Sequence, residues 1–484
     1  MSAQIQTSGC CRKGPGYPSP TAAMKGPREK IMYVPCIVPK KDRPDYLAVI
    51  DIDPESNNYL KVIHRSSVPY LGDEVHHMNW NTCSSCYNDS SKQRDKLILP
   101  CLLSNRIYTF DLSKDPLAPL LFAVVEPSEM AALGVSSPHT PHCLPGGDIL
   151  ISTMGDKERN GQGSFVLLDG KTFKPKRTPG PGAEQAGLWG NKKTPFGYDY
   201  WYQPRHNVMV SSEWGAPRVF ENGFNPAHLV VSDVKDEKYG RRLHFWNYST
   251  GEHQQSLDLG EEGFMPLETR FLHNPDKAEG YVGCAITSTV FHFCCKKESM
   301  ETWTATKVIS IPHVKVNGWC LPEMPAVITD ILISLDDRFL YISCWLIGEV
   351  RQYNIEDPAN PKLVGLCQLG GCIRANVTCE DGFQPSQPRF VGKELRGGPQ
   401  MLQLSLDGKR LYLTTSLFSR WDAQFYPEMI ENGSMMVRLL VDTDHGGLRV
   451  DEDFLVDFGD EPEGPVLAHE LRYFGGDCSS DIWL

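Results

Sequence analysis

Pro145-Gly-Gly-Asp-Ile-Leu-Ile-Ser-Thr153 joins a turn of Pro, Gly and Asp to a short run of branched apolar residues that ends in hydroxyl side chains. The same design returns in Pro204-Arg-His-Asn-Val-Met-Val-Ser-Ser212, Leu335-Asp-Asp-Arg-Phe-Leu-Tyr-Ile-Ser343 and Leu406-Asp-Gly-Lys-Arg-Leu-Tyr-Leu-Thr414. A polar or Gly-containing turn feeding an alternating run reads as the entry to a β-strand, and its return reads as a repeated unit. The echoes lie roughly 60 to 70 residues apart, more than the ~40 to 50 of common four-stranded blade repeats, which predicts blades with long loops. Dividing the chain by that period gives about seven blades.

Between the echoes helical periodicity is scarce. Short β-rich runs bounded by Gly, Pro, Asn and Asp recur instead, among them Tyr46 to Asp51, Lys96 to Leu112, Val208 to Glu213 and Tyr281 to Phe293. The expected fold is all-β, a seven-bladed β-propeller forming a single closed domain over residues 29–484, with a pair of β-sandwiches as the alternative pattern. Residues 1–28 read as an N-terminal arm with little regular structure, and 370–393, with Gly-Gly, two Pro and little periodicity, as a loop insertion.

The 484 residues exceed one ordinary domain, but a propeller grows radially by added blades. A content of 40% hydrophobic and 22% charged residues suits a folded chain with a large core. The net charge of −12, with no basic run, argues against a nucleic-acid partner. No run of about 18 apolar residues forms a transmembrane segment, and Met1 to Lys13 lacks the apolar core of a signal peptide. A cytoplasmic (cytosolic) protein is expected, with the nucleus and peripheral membrane association left open. Sequons at Asn88, Asn247, Asn376 and Asn432 are then expected to stay unused. Sixteen cysteines fall far below disulfide-scaffold density, so most are expected as thiols, with Cys284, Cys294, Cys344 and Cys367 serving as small core residues.

The densest polar stretch is Asp73-Glu-Val-His76-His77-Met-Asn-Trp-Asn-Thr-Cys83-Ser-Ser-Cys86. Neighbouring histidines on a regular strand point to opposite faces, so His76 and His77 share an ion only where the backbone bends. Imidazoles suit copper, zinc, iron or nickel. Cys83 and Cys86 form a C-x-x-C pair that can hold a metal, cycle as a disulfide or remain structural thiols. A βαβ setting and a second C-x-x-C are both missing, which disfavours thioredoxin-like and zinc-ribbon readings. His139-Thr-Pro-His142-Cys cannot be a regular helix and is expected as a loop, because of Pro141. His206, His273 and His469 each sit beside a strand end, where loops of a propeller converge on its channel, although each alone is more often structural. Gly475 to Leu484 reads as a closing strand docked into a blade. No G-x-S-x-G, Walker loop or dinucleotide fingerprint occurs, which leaves metal and thiol chemistry, or binding alone.

Several segments in order along the chain resemble those of animal selenium-binding proteins, in the selenium-binding protein / methanethiol oxidase family. They are the His76-to-Cys86 stretch, Gly197-Tyr-Asp-Tyr-Trp-Tyr-Gln-Pro-Arg-His-Asn-Val-Met209, Leu321-Pro-Glu-Met-Pro325, Gly397-Gly-Pro-Gln-Met401 and Ala468-His-Glu-Leu-Arg-Tyr-Phe-Gly-Gly-Asp-Cys-Ser-Ser-Asp-Ile-Trp483. The resemblance implies a seven-bladed propeller and an oxidoreductase, methanethiol oxidase, turning methanethiol, O2 and water into formaldehyde, hydrogen sulfide and hydrogen peroxide. It implies copper as cofactor, bound by histidines among His76, His77, His139, His142, His206, His273 and His469, with His76, His77, His139 and His469 foremost. Cys83 and Cys86 are candidates for a redox or substrate-contact role in that sulfur metabolism. Two departures stand out. Leu60 occupies the place of the cysteine proposed to attach selenium in vertebrate members, and Ile347 that of a histidine. The rival reading is a non-enzymatic selenium-binding or Golgi-linked protein-transport propeller, and a third keeps the metal as structural or zinc.

Overall fold

The computed structural model of the protein describes residues 14–229, 238–295, 302–374 and 376–484. The first part of the expected N-terminal arm, residues 1–13, lies outside them.

Each echo forms the second strand of a sheet, and its turn shows why. The Ser334 hydroxyl donates to Asp336 Oδ1 (2.5 Å) and accepts from the Phe339 amide (3.0 Å). The Ser405 hydroxyl likewise donates to Asp407 Oδ1 (2.7 Å) and accepts from the Arg410 amide (3.0 Å). Asp337 takes the left-handed conformation (φ 59°) that Gly408 supplies in the other turn (φ 72°), a conformation open to Gly and tolerated by Asp.

Among the described residues the strands gather into six four-stranded antiparallel sheets, one five-stranded sheet and smaller ribbons. The protein is mostly β, and its many small antiparallel meanders fit a propeller. The first sheet holds Ile31–Ile37, Tyr46–Asp51 and Val62–Ser67, and the second begins at Asn79–Trp80. The third to seventh begin at Val135–Cys143, Tyr200–Gln203, Pro266–Phe271, Ile328–Ile333 and Leu402–Leu404. The chain's end returns to its beginning, since Leu467–Ala468 and Arg472–Tyr473 both pair with Ile31–Ile37.

The hydroxyls that end the echoes tie successive sheets together. Ser152 donates to the Tyr198 carbonyl (2.5 Å), Ser212 to that of Leu267 (2.5 Å), and Thr414 to that of His469. Ser343 works through Thr329, whose hydroxyl reaches the Gln400 carbonyl (3.1 Å). Apolar side chains fill the space between sheets, as where Phe165 of the third meets Trp246 of the fourth edge-on at 5.5 Å. Burial of such rings supplies most of the stabilisation, at roughly 25 cal/mol per Å² of apolar surface.

Within 370–393, Thr378–Cys379 pairs with Val314–Asn317, and Arg389–Phe390 forms a small ribbon with Lys393–Glu394. Pro20–Ala23 makes one helical turn capped by the Ser19 hydroxyl, and the Tyr17 amide donates to Ser84 Oγ (3.0 Å). The closing strands prove to be 467–468 and 472–473. The segment 475–484, expected as a strand, is irregular and mostly buried. No helix among the described residues is long and apolar enough to cross a membrane.

Candidate metal centre

Glu74 takes a left-handed backbone conformation (φ 58°), and its carboxylate accepts from the Ser419 amide (2.8 Å) and hydroxyl (2.5 Å). After the isolated bridge of Val75 to Cys101 the chain runs outside strand geometry through residues 76–78 and enters the strand Asn79–Trp80. Outside a regular strand two consecutive histidines need not point apart, and their rings meet at 4.9 Å. His469, directly after Leu467–Ala468, stacks on His76 at 3.7 Å and 17°. His139 stands 4.1 Å from the His77 ring and 5.3 Å from that of His76, with Tyr198 behind it at 4.0 Å. All four histidines are buried. Ring nitrogens of His76, His77 and His469 lie within 4.8 Å of one another, the one group of three metal-capable side chains so close among the described residues.

The hydrogen bonds fix the protons. His469 Nδ1 donates to the Ser416 carbonyl (2.9 Å), which can only accept, so Nε2 carries the lone pair. His77 Nδ1 donates to Glu470 Oε2 (2.6 Å). Burial pushes the Glu470 carboxyl up, but Arg472 and His77 beside it hold it down at about 2, so it stays ionised. Nε2 of His77, His139 and His469 has no hydrogen-bond partner although buried. An orphaned buried nitrogen is costly unless something occupies the space before it. Burial and the neighbouring imidazoles keep His76 and His139 well below the usual histidine range and His469 at about 3. These imidazoles are neutral and able to ligate.

A buried ionic frame surrounds the cluster. The Arg270 guanidinium pairs with Glu268 (2.9 Å) and Asp199 (2.9 Å) and reaches Asp330 at 3.5 Å. Glu268 Oε1 has no hydrogen bond and faces His77 Nε2 at 4.0 Å. Burial, reinforced by Asp199, raises the Glu268 carboxyl well above its ordinary value. Sequence reasoning passed over Glu268, Arg270, Asp199 and Asp330. The available signal was a charged pair two residues apart, Glu268 and Arg270, inside the strand Pro266–Phe271.

Three sequence candidates fall outside the cluster. His142 belongs to the strand Val135–Cys143, which takes the place of the expected loop; a register irregularity between Pro138 and Pro141 accommodates the prolines. Three positions beyond His139, it packs at 5.0 Å from Trp201, and burial holds it at about 3. His273 Nε2 donates to the Ile333 carbonyl (2.9 Å), a structural tie. His206 ends the 3₁₀ turn Pro204–His206 with its Nε2 unpartnered, and it belongs to no group of three metal-capable side chains among the described residues. Cys83 caps and Cys86 ends a buried 3₁₀ turn, Ser84–Cys86; the Ser85 hydroxyl lies 3.2 Å from Cys83 Sγ, and Cys86 Sγ lies 3.6 Å from the Leu144 carbonyl.

Comparison with known proteins gives the family of the chain. The profile of the 56kDa selenium binding protein (SBP56) matches residues 11–484. Methanethiol oxidase of Xenopus tropicalis is 55% identical over 486 residues, covering 98% of this chain and 99% of its own. Selenium-binding protein 2 of Mus musculus is 54% identical, with the same coverage. The X-ray structure of a hypothetical selenium-binding protein from Sulfolobus tokodaii superposes with a TM-score of 0.83 at 38% identity, covering 97% of this chain and 98% of that one. A match running from residue 11 to the C-terminus leaves no part of the described fold outside the resemblance, and the chain belongs to the 56 kDa selenium-binding protein family.

Proposed function

We propose that the chain is a methanethiol oxidase whose copper is held by His76, His77 and His469, with His139 facing the same space. The observation that carries this reading is the group of three buried imidazoles whose ring nitrogens lie within 4.8 Å of one another, with Nε2 of His77 and His469, and of His139 beside them, lacking hydrogen bonds. Neutral nitrogen donors fit copper. When bound, copper would lower the proton affinity of a thiol and take up its electrons for transfer to dioxygen.

The chain's own residues do the rest. Glu470, fixed by Arg472 (2.7 Å), holds the Nδ1 proton of His77 and keeps its ring turned toward the ligand space. The Ser416 carbonyl does the same for His469. Burial of all four rings excludes bulk water and favours a small apolar thiol. Glu268, with a raised proton affinity and a free Oε1, is placed to hold the proton that the thiol gives up. In this reading the seven larger sheets are blades of one closed ring, supported by the hydroxyl ties at four of the junctions and by the return of the chain's end to Ile31–Ile37. Selenium is not carried covalently at position 60, which is leucine.

The test is metal analysis of the purified protein together with oxygen uptake on methanethiol. About one copper per chain, with sulfide release, is expected, and His469→Ala should lose both metal and turnover. Zinc in place of copper, or copper-loaded protein without oxygen uptake, overturns the reading.

A further inference from the structure

The outer half of the fourth sheet carries a second polar constellation. The third strand of that sheet, Arg242–Asn247, pairs with its outermost, His253–Asp258, so that His244 stands opposite Ser256 and Trp246 opposite His253. The register shifts by one residue between those pairs, which puts His253 and Ser256, three apart in sequence, on the face that His244 and Trp246 share. Ser256 Oγ lies 2.9 Å from His244 Nδ1 and 2.9 Å from His253 Nε2. His244 Nε2 in turn lies 2.9 Å from Oε1 of Glu213, which follows the strand Val208–Ser211. Glu213 Oε2 accepts from the amides of Arg241 and Arg242 (3.1 Å each), and Gly240 leaves it room, since a Cβ there would come within 2.4 Å of that oxygen. Glu213 and His244 are buried, whereas Ser256 is exposed.

We propose that Ser256 is an acyl-acceptor site, a surface hydroxyl activated by His244 and Glu213 that takes the acyl group of small activated esters. A carboxylate only accepts, so the proton of His244 sits on Nε2, and Nδ1 of the neutral ring is left to accept the Ser256 O–H. Burial, with Lys192 and His244 beside it, holds His253 at about 4; its ring is neutral and its Nε2–H donates to Ser256 Oγ. Serine, histidine and carboxylate are therefore joined in the order that makes a hydroxyl nucleophilic. Ser256 Oγ attacks the ester carbonyl carbon while its proton passes to His244 Nδ1, and Glu213 steadies the imidazolium through its Nε2–H. The C–O bond to the leaving group then breaks, and that oxygen departs as an alcohol or phenol with the proton from His244. One ester is exchanged for another with no change of oxidation state. None of these residues belongs to the histidine cluster of the candidate metal centre, so the inference does not depend on the copper reading.

The experiment incubates the full-length protein with p-nitrophenyl acetate, follows release of p-nitrophenolate, and maps the acetylated residues by mass spectrometry. A fluorophosphonate probe, which labels activated hydroxyls, is run in parallel. A burst stoichiometric with protein is expected, with both labels concentrated on Ser256 rather than on the other serines, and with both lost in Ser256→Ala. His244→Gln and Glu213→Gln should each slow labelling of Ser256 by about 100-fold, the scale of a lost general base. Acetylation of exposed lysines or of other serines while Ser256 stays unlabelled, or an unchanged rate at Ser256 in His244→Gln, overturns the proposal and leaves the contacts as cross-strand ties. The map of the unmodified protein decides the matter even if the variants at the two buried positions do not fold.

Discussion

His77 Nδ1 and Glu470 Oε2 lie 2.6 Å apart across 393 residues of sequence. The contact joins the two ends of the chain at the centre of the candidate site. It also decides which nitrogen of His77 is free, because the ionised carboxylate claims the Nδ1 proton.

That relationship gives the first prediction. Glu470→Gln removes the charge that fixes the His77 tautomer and leaves Arg472 without its buried partner. Loss of such an outer partner typically weakens metal binding about 10- to 100-fold. Competition against a chelator should show this weakening, with the far-ultraviolet spectrum unchanged. Unaltered affinity would mean that His77 needs no help in presenting Nε2.

Acid should destabilise the metal-free protein through its buried histidines. Burial holds both His142 and His469 at about 3, whereas an unfolded histidine titrates near ~6.5. Between those values the unfolded chain binds more protons than the folded one, so stability is present above the unfolded value and is lost as the pH falls. Each such histidine contributes a slope of about 1.4 kcal/mol per pH unit in that window. Thermal melts of metal-free protein from pH 7 downward should fall steeply below about 6.5. His142→Gln should flatten the curve if the fold accepts the amide.

Two histidines in comparable strand-end positions should behave differently. His273→Ala removes the donor to the Ile333 carbonyl and leaves that carbonyl unsatisfied, at about 1–3 kcal/mol, yet bound metal should be unchanged. His469→Ala should abolish stoichiometric metal. Parallel metal analysis and chemical denaturation of the two variants separate ligand from structural tie, and equal metal loss in both would remove the distinction.

The echoes were legible because their turns and strands are local: Ser334, Asp336 and Phe339 interact within five residues. Strand alternation and the hydroxyl ending each run were visible too, although not that Ser152 and Thr414 bind the next sheet, since that partner is set by packing. For the site, adjacency of His76 and His77 was ambiguous because a regular strand would point them apart, and only the structure shows residues 76–78 outside any strand. The strand character of His139 to His142 was hidden by Pro141, which an edge strand tolerates. Glu268 and Arg270 were visible as a charged pair, but not that Glu268 faces His77, which is distant in sequence.

The C-terminal segment supplies the last prediction. Asp481 Oδ1 accepts from the Ser84 amide (2.7 Å) and hydroxyl (2.7 Å), and its carboxylate pairs with the buried Arg94 guanidinium (2.5 Å). The Trp483 indole donates to the Tyr17 carbonyl (3.1 Å), so the tail also pins the N-terminal residues. Asp481→Ala leaves Arg94 buried without its partner, a loss of about 3–5 kcal/mol, whereas Asp481→Asn keeps an acceptor for Ser84 and should lose less. The alanine variant should melt lower and yield its last residues to carboxypeptidase faster than the unmodified protein. It should also speed alkylation of Cys83, whose sulfur lies 3.9 Å from the Ile482 carbonyl. Faster digestion without faster alkylation would show that the tail fastens the chain end but does not shield the thiols.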